Sequence, residues 1–180
     1  TFLSLFLWVI FRLPALAFEI KDEYPKLANY YLQPLVPVSH YDELAKYDLV
    51  ILDVDTQTIE PALFDNLRSK NPEIKMLAYI PSQSVNVRDL DWWARFRKIV
   101  YNHVDFKDWW LRDSGGNFVY FSGAWPFIKF VDIGNDWSEY VSDLVKNDVA
   151  SRGIWNGVFY DMVFANLNWL NGGDIDINKD

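Results

Sequence analysis

Four short apolar runs constrain this chain most: Leu27–Leu32 (LANYYL), Asp48–Val54 (DLVILDV), Lys75–Ile80 (KMLAYI) and Gly157–Val163 (GVFYDMV). They are nearly continuous in apolar and aromatic residues, the pattern of strands in a sheet covered on both faces. The segments between them read as helices. Ser39 is placed to cap a short helix through Tyr47, with Asp42 and Glu43 in its first turn. Thr58 and Pro61 open a helix carrying Leu63, Phe64 and Leu67, stopped by Asn71-Pro72. A helix over 89–100 would align Leu90, Trp93, Phe96 and Val100. From Asp136 onward, Trp137, Tyr140, Val141, Leu144 and Val145 recur at helical spacing until Gly153. Between these helices, Trp109–Leu111 leads into the turn Asp113-Ser-Gly-Gly-Asn117, and Phe127–Ile133 is extended.

Strands that alternate with helices pair in parallel, in a doubly wound sheet or in a (β/α)8 barrel. No G-x-G-x-x-G follows the first strand, which counts against a dinucleotide-binding sheet. A complete barrel takes roughly 250 residues. With 180 residues in the chain, the expected fold class is α/β, the N-terminal half of a (β/α)8 TIM barrel.

The ends carry their own signals. Phe2–Phe11 is an apolar run followed by Arg12, Pro14 and Ala15-Leu16-Ala17, which reads as the core and cleavage site of a secretory signal peptide. On that reading residues 1–17 are removed after Ala17, the protein is secreted or extracytoplasmic, and 18–180 is the barrel part. The run is too short for a membrane span, which needs roughly 20 residues. At the other end Asp176, Asn178 and Asp180 alternate like the first ligands of a calcium loop, without its later Gly and Glu. A structural calcium and a solvated acidic loop both fit; no other cofactor is expected.

Seventeen Lys and Arg against 25 Asp and Glu give a formal net charge of −8, which argues against nucleic acid or an anionic membrane as partner. With no cysteine and only His40 and His103, thiol chemistry, disulfides and a Cys/His zinc site fall away. His40 is expected at a helix start and His103 after a helix, facing solvent. Nine Trp, 10 Tyr and 13 Phe, 18% of the chain, are compatible with a carbohydrate ligand.

In barrels the chemistry sits at the C-terminal ends of the strands. Asp161 ends an otherwise apolar strand, where an unpaired carboxylate would be costly; it is either a catalytic nucleophile or a group that pairs with an Arg or caps the next loop. Asp53 and Asp55 follow the second strand as possible accessory carboxylates, and Asp55 can equally serve a helix-entry turn. Tyr31, Tyr79 and Trp125, the last in a Gly-Ala-Trp-Pro loop, are expected to line the same mouth as substrate-binding residues. Trp93 and Trp137 fall on helical core stripes.

The segments Trp109-Trp-Leu-Arg-Asp-Ser-Gly-Gly-Asn117, Trp125-Pro, Val131-Asp-Ile and Trp155-Asn-Gly-Val-Phe-Tyr-Asp161 together resemble glycoside-hydrolase-like family 15. They resemble more loosely the endo-α-1,4-polygalactosaminidases and other α-retaining barrel glycosidases. The resemblance runs from about Lys26 to Asp180 and implies a (β/α)8 barrel with the fourth-strand Asp161 as nucleophile or charge stabiliser. Relatives carry D-G-V-F-x-D; here the first Asp is Asn156. Glycosidases need two carboxyl groups, and the resemblance leaves the acid to a later strand, so the 180-residue piece by itself is expected to be inactive. The rival reading is a non-catalytic extracellular carbohydrate-binding barrel, since sugar rings stack on Trp and Tyr whether or not chemistry follows.

Overall fold

The computed structural model describes residues 26–175, apart from 89, 91–93, 122, 124, 135 and 168. The proposed leader 1–17, Trp93 and the calcium candidates Asp176, Asn178 and Asp180 therefore lie outside the described residues. Among the described residues no helix is long and apolar enough to cross a membrane.

The four apolar runs form one parallel sheet. Strand β1 (Ala28–Tyr31) pairs with β2 (Leu49–Asp53) and β2 with β3 (Lys75–Pro81). The last partner of β3 is β6 (Gly157–Asp161). The order β1-β2-β3-β6 follows the chain without reversal. Parallel pairing requires each connection to cross back over the sheet. The first crossing uses a 3-10 turn (Val38–His40) and α1 (Tyr41–Leu44); the second uses α2 (Thr56–Ile59) and α3 (Pro61–Lys70). Between β3 and β6 lie β4 (Ser84–Asn86), α4 (Arg95–Lys107), β5 (Ile128–Phe130) and α5 (Trp137–Leu144), with β4 and β5 in a separate antiparallel pair.

Helix starts differ from the sequence expectation. Neither Ser39 nor Thr58 caps: the short helices begin without a side-chain hydrogen bond, and Thr58 lies inside α2. Pro61 opens α3, where its missing N–H costs nothing. Asn71 ends α3, and its side-chain amide donates to the carbonyls of Ala45 (3.1 Å) and Tyr47 (3.0 Å), tying α3 to the end of α1. Helix α4 begins at Arg95 rather than near residue 89 and runs to Lys107, so its buried stripe is Phe96, Val100 and Val104. His103 is consequently inside α4, stacked on the Tyr140 ring with centroids 3.7 Å apart, and not beyond a helix facing solvent. Beyond α5 the chain coils on to Arg152, and Gly153 (φ 67°) supplies the left-handed residue that releases it toward β6.

Sheet register decides what each residue faces. Val50, Leu52, Met76, Ala78 and Ile80 are buried under the helices; the first three pack with Leu63, Phe64 and Leu67 of α3, and the last two with Phe96, Val100 and Val141. Burying each of these side chains other than Ala78 contributes about 1.5–3 kcal/mol. The other face carries Tyr30, Ile51, Leu77, Tyr79 and Phe159, half-buried or exposed. The sheet is thus covered on one face, among the described residues, and the expectation of two covered faces is corrected. Its cause is the alternation within β3, where every second residue is buried and those between are only partly so.

Close packing fixes the β3–β6 junction. A Cβ on Gly157 would lie 3.2 Å from Leu77 Cδ2, so a larger residue would require the Leu77 side chain to shift by a few tenths of an ångström. Asn156 exchanges bonds with Met76: its N–H donates to the Met76 carbonyl (2.8 Å) and its Oδ1 accepts the Met76 N–H (3.0 Å). The amide thus serves the loop without a charge.

Candidate active site

A cavity of about 610 Å³ opens at the C-terminal ends of the four parallel strands, a size suited to a small-molecule or sugar ligand. Asp161, Asp53, Tyr79 and Trp125 line it, as expected from the sequence, together with Tyr30, Arg97 and Trp137.

Asp161 is held at both carboxylate oxygens. Its Oδ2 accepts the Tyr79 hydroxyl at 2.7 Å and the Tyr30 hydroxyl at 3.4 Å, while Oδ1 accepts the Met162 N–H at 2.7 Å. Met162 takes a left-handed conformation (φ 56°), uncommon for a residue with a side chain. The loop after β3 holds it there. The Ser82 N–H and hydroxyl both donate to the Asp161 carbonyl, at 2.8 and 2.9 Å, and the hydroxyl also reaches the Met162 carbonyl (3.1 Å). Gln83 grips Phe164 twice, donating from Nε2 to its carbonyl and accepting its N–H at Oε1, each at 3.2 Å. The Trp137 indole donates to the Ser82 carbonyl at 2.6 Å, so this tryptophan is both core and cavity wall. Among the described residues no arginine pairs with Asp161; the donors to its carboxylate there are two phenols and one amide.

Tyr31 is not at the mouth. It faces the helices, packs beside the α1–α3 core, and its hydroxyl meets His40 Nδ1 at 3.1 Å. Its neighbour Tyr30 takes the expected place, edge-on to Tyr79 (5.6 Å) and Phe159 (5.7 Å). Counting by twos from Asp161 would have found Phe159; Tyr30 carries no such signal, because LANYYL has no alternation to fix its parity.

The two accessory carboxylates part ways. Asp53, the last residue of β2, is buried in the cavity wall, where Arg97 Nη2 donates to Oδ2 at 3.1 Å and the Asp55 N–H to Oδ1 at 2.8 Å. Burial pushes its carboxyl above the ordinary value, and the Arg97 charge opposes this. Asp55 lies outside the cavity. Fully buried, it caps α4 from a distance: Oδ1 accepts the Phe96 N–H at 2.6 Å and Oδ2 the Arg97 N–H at 3.5 Å. Its helix-entry role is therefore at α4, forty-one residues on.

Burial, reinforced by the nearby Asp53 charge, raises the Asp55 carboxyl to about 6. A folded-state value above the unfolded one means the folded chain binds the proton more tightly. Stability linked to this group is complete below about pH 4 and is lost as pH rises toward about 6. Asp55→Asn keeps a capping oxygen and removes the buried charge. It is expected to stabilise the fold by about 1–2 kcal/mol near neutrality and to flatten the stability profile over that acid window. Urea unfolding of both proteins across pH checks this; a variant less stable at neutrality would show that the charge on the α4 terminus outweighs its burial.

Trp125 stands at the rim, half exposed, edge-on to Phe121 (5.4 Å), while the Arg88 guanidinium lies over Phe127 at 3.9 Å on the same side. The expected 113–117 turn is closed by the Gly116 N–H on the Asp113 carbonyl (2.9 Å) and the Asp113 N–H on the Asn117 carbonyl (2.9 Å), and Asp174 accepts the Ser114 N–H (3.0 Å). No protein-family model matches the chain, and no curated protein matches it either.

Proposed function

We propose that this chain is the first half of a (β/α)8 barrel and belongs to a glycoside hydrolase acting on an extracellular poly- or oligosaccharide, with Asp161 as its nucleophilic carboxylate. The observation that carries the reading is Asp161 itself: a strand-end carboxylate held at both oxygens by uncharged donors, facing a cavity walled by aromatic rings. The strand order supports the barrel half, since a doubly wound sheet reverses its order at a switch point and β1-β2-β3-β6 does not. The face turned from the helices, with Tyr30, Tyr79 and Phe159, corresponds to a barrel interior.

In the reaction, a carboxylate oxygen of Asp161 attacks the anomeric carbon while the glycosidic C–O bond breaks and the leaving oxygen takes a proton from a general acid. Water then releases the sugar and returns the carboxylate. Asp53 is a poor donor of that proton, because Arg97 and the Asp55 N–H already occupy its two oxygens. The acid is assigned to a later strand of the full-length protein. Trp125 offers an exposed ring for a sugar face at the rim.

The test is to screen the full-length protein against activated aryl glycosides and then trap it with the matching 2-deoxy-2-fluoro or 5-fluoro glycosyl fluoride. Peptide mass spectrometry is expected to find the sugar ester on Asp161. A label on another carboxylate would overturn the residue assignment. Glycan binding without turnover of any glycoside would replace the hydrolase by a non-catalytic carbohydrate-binding barrel.

A further inference from the structure

An aspartate carboxylate turns easily about its Cβ–Cγ bond, because sp³–sp² torsions have broad wells. A nucleophile cannot tolerate that freedom, since attack requires a lone pair aligned with the anomeric carbon. Around Asp161 the orientation is set by donors placed at opposite oxygens: the Met162 N–H at Oδ1 and the Tyr79 hydroxyl at Oδ2, both at 2.7 Å. The first is a backbone group of the next residue and turns with the loop. The second comes from β3, a different strand, and its ring is fixed between Tyr30 (edge-on, 5.6 Å) and Phe159 (stacked, 6.3 Å).

We infer that Tyr79 is a positioning residue for Asp161: its hydroxyl holds one carboxylate oxygen and so fixes the carboxylate plane, leaving the remaining lone pairs toward the cavity. This rests on the reading of Asp161 as nucleophile. Burial and the adjacent Asp161 charge push the Tyr79 hydroxyl far above the usual tyrosine range, so it stays a donor at every working pH and is excluded as a tyrosinate nucleophile. Tyr30 is the weaker support at 3.4 Å. The remaining groups that bear on Asp161 are the Ser82 hydroxyl on its carbonyl and, elsewhere on the cavity wall, the Asp53–Arg97 pair and Arg88.

The experiment compares wild type, Tyr79→Phe, Tyr30→Phe and Asp161→Asn in the full-length protein. Aspartate labelled with ¹³C at the carboxyl reports each carboxylate's hydrogen bonding through its chemical shift at one neutral pH, and the signal missing from Asp161→Asn identifies Asp161. Deleting the 2.7 Å bond is expected to move the Asp161 signal in Tyr79→Phe, with a smaller move in Tyr30→Phe, whose bond is 3.4 Å. With the aryl glycoside found by the screen, Tyr79→Phe should lower kcat about tenfold with KM nearly unchanged, because the lost bond acts on the attacking group. Phe fills the same space, and an unchanged melting temperature would separate this from unfolding. An Asp161 carboxyl signal in Tyr79→Phe that overlays wild type would overturn the inference while an inactive Asp161→Asn still upheld the nucleophile. An active Asp161→Asn would overturn the nucleophile itself and the positioning role with it.

Discussion

Asp161→Asn in the full-length protein is expected to lower kcat/KM by about 10⁴-fold, the scale on which removing a catalytic group acts. The amide has the carboxylate's shape, so Met162 and Tyr79 keep a neighbour of the same size and the β3–β6 loops keep their bonds. On the proposed glycosidase reading, what is lost is the charge that would face a developing oxocarbenium ion. The loss should therefore appear in turnover with the melting temperature nearly unchanged. Asp161→Gly gives a sharper signature: the vacated space admits azide, and a glycosyl azide product would report nucleophilic rescue at this position. Activity of Asp161→Asn within a few-fold of wild type would remove the residue from the mechanism.

The second large effect is on stability. Arg97→Met is expected to destabilise the fold by about 3–5 kcal/mol near neutrality, the cost of leaving a buried carboxylate without its counter-charge. Arg97 and Asp53 meet at 3.1 Å with side chains only 16% and 9% exposed, so the pair is largely shielded from solvent. Asp55 lies next in line, and the Asp53 charge already acts on it. Without Arg97 the two carboxylates repel across one short turn. Protonation relieves both, so the cost should grow as pH rises and be least near about pH 4. Asp53→Asn added to Arg97→Met should recover much of the loss, because it removes the orphaned charge. Urea unfolding of the single and double variants at acid and neutral pH checks this. A double variant no more stable than Arg97→Met would mean that Arg97 acts through its other contacts.

The sequence made the strands legible because each is an apolar block with a definite stop. Pro81 marks the end of β3, Asp161 the end of β6 and Asp53 the end of β2. Chain order then gave parallel pairing, and strand ends gave three of the cavity residues. Orientation was harder to read. Tyr30 and Tyr31 are adjacent and alike, and only the pairing of Tyr30 with Ile51 puts it on the open face. Asp53 and Asp55 are two residues apart, yet the turn after β2 sends Asp55 toward the start of α4, a neighbour set by tertiary packing. The late start of α4 escaped because Leu90, Trp93, Phe96 and Val100 follow one another at steps of three and four, which extends the helical spacing ahead of Arg95. Strand β4 is three residues long, too short to carry any period.

The stapling of the loops after β3 and β6 bears on how a ligand would be received. Ser82 holds the Asp161 carbonyl by two bonds, Gln83 holds Phe164 by two more, and Trp137 anchors Ser82 in turn. These bonds join the two strand-end loops and hold Met162 in its left-handed conformation. On the proposed reading the carboxylate is ordered before a ligand arrives, so contacts made deep in the cavity would spend little of their energy on ordering it.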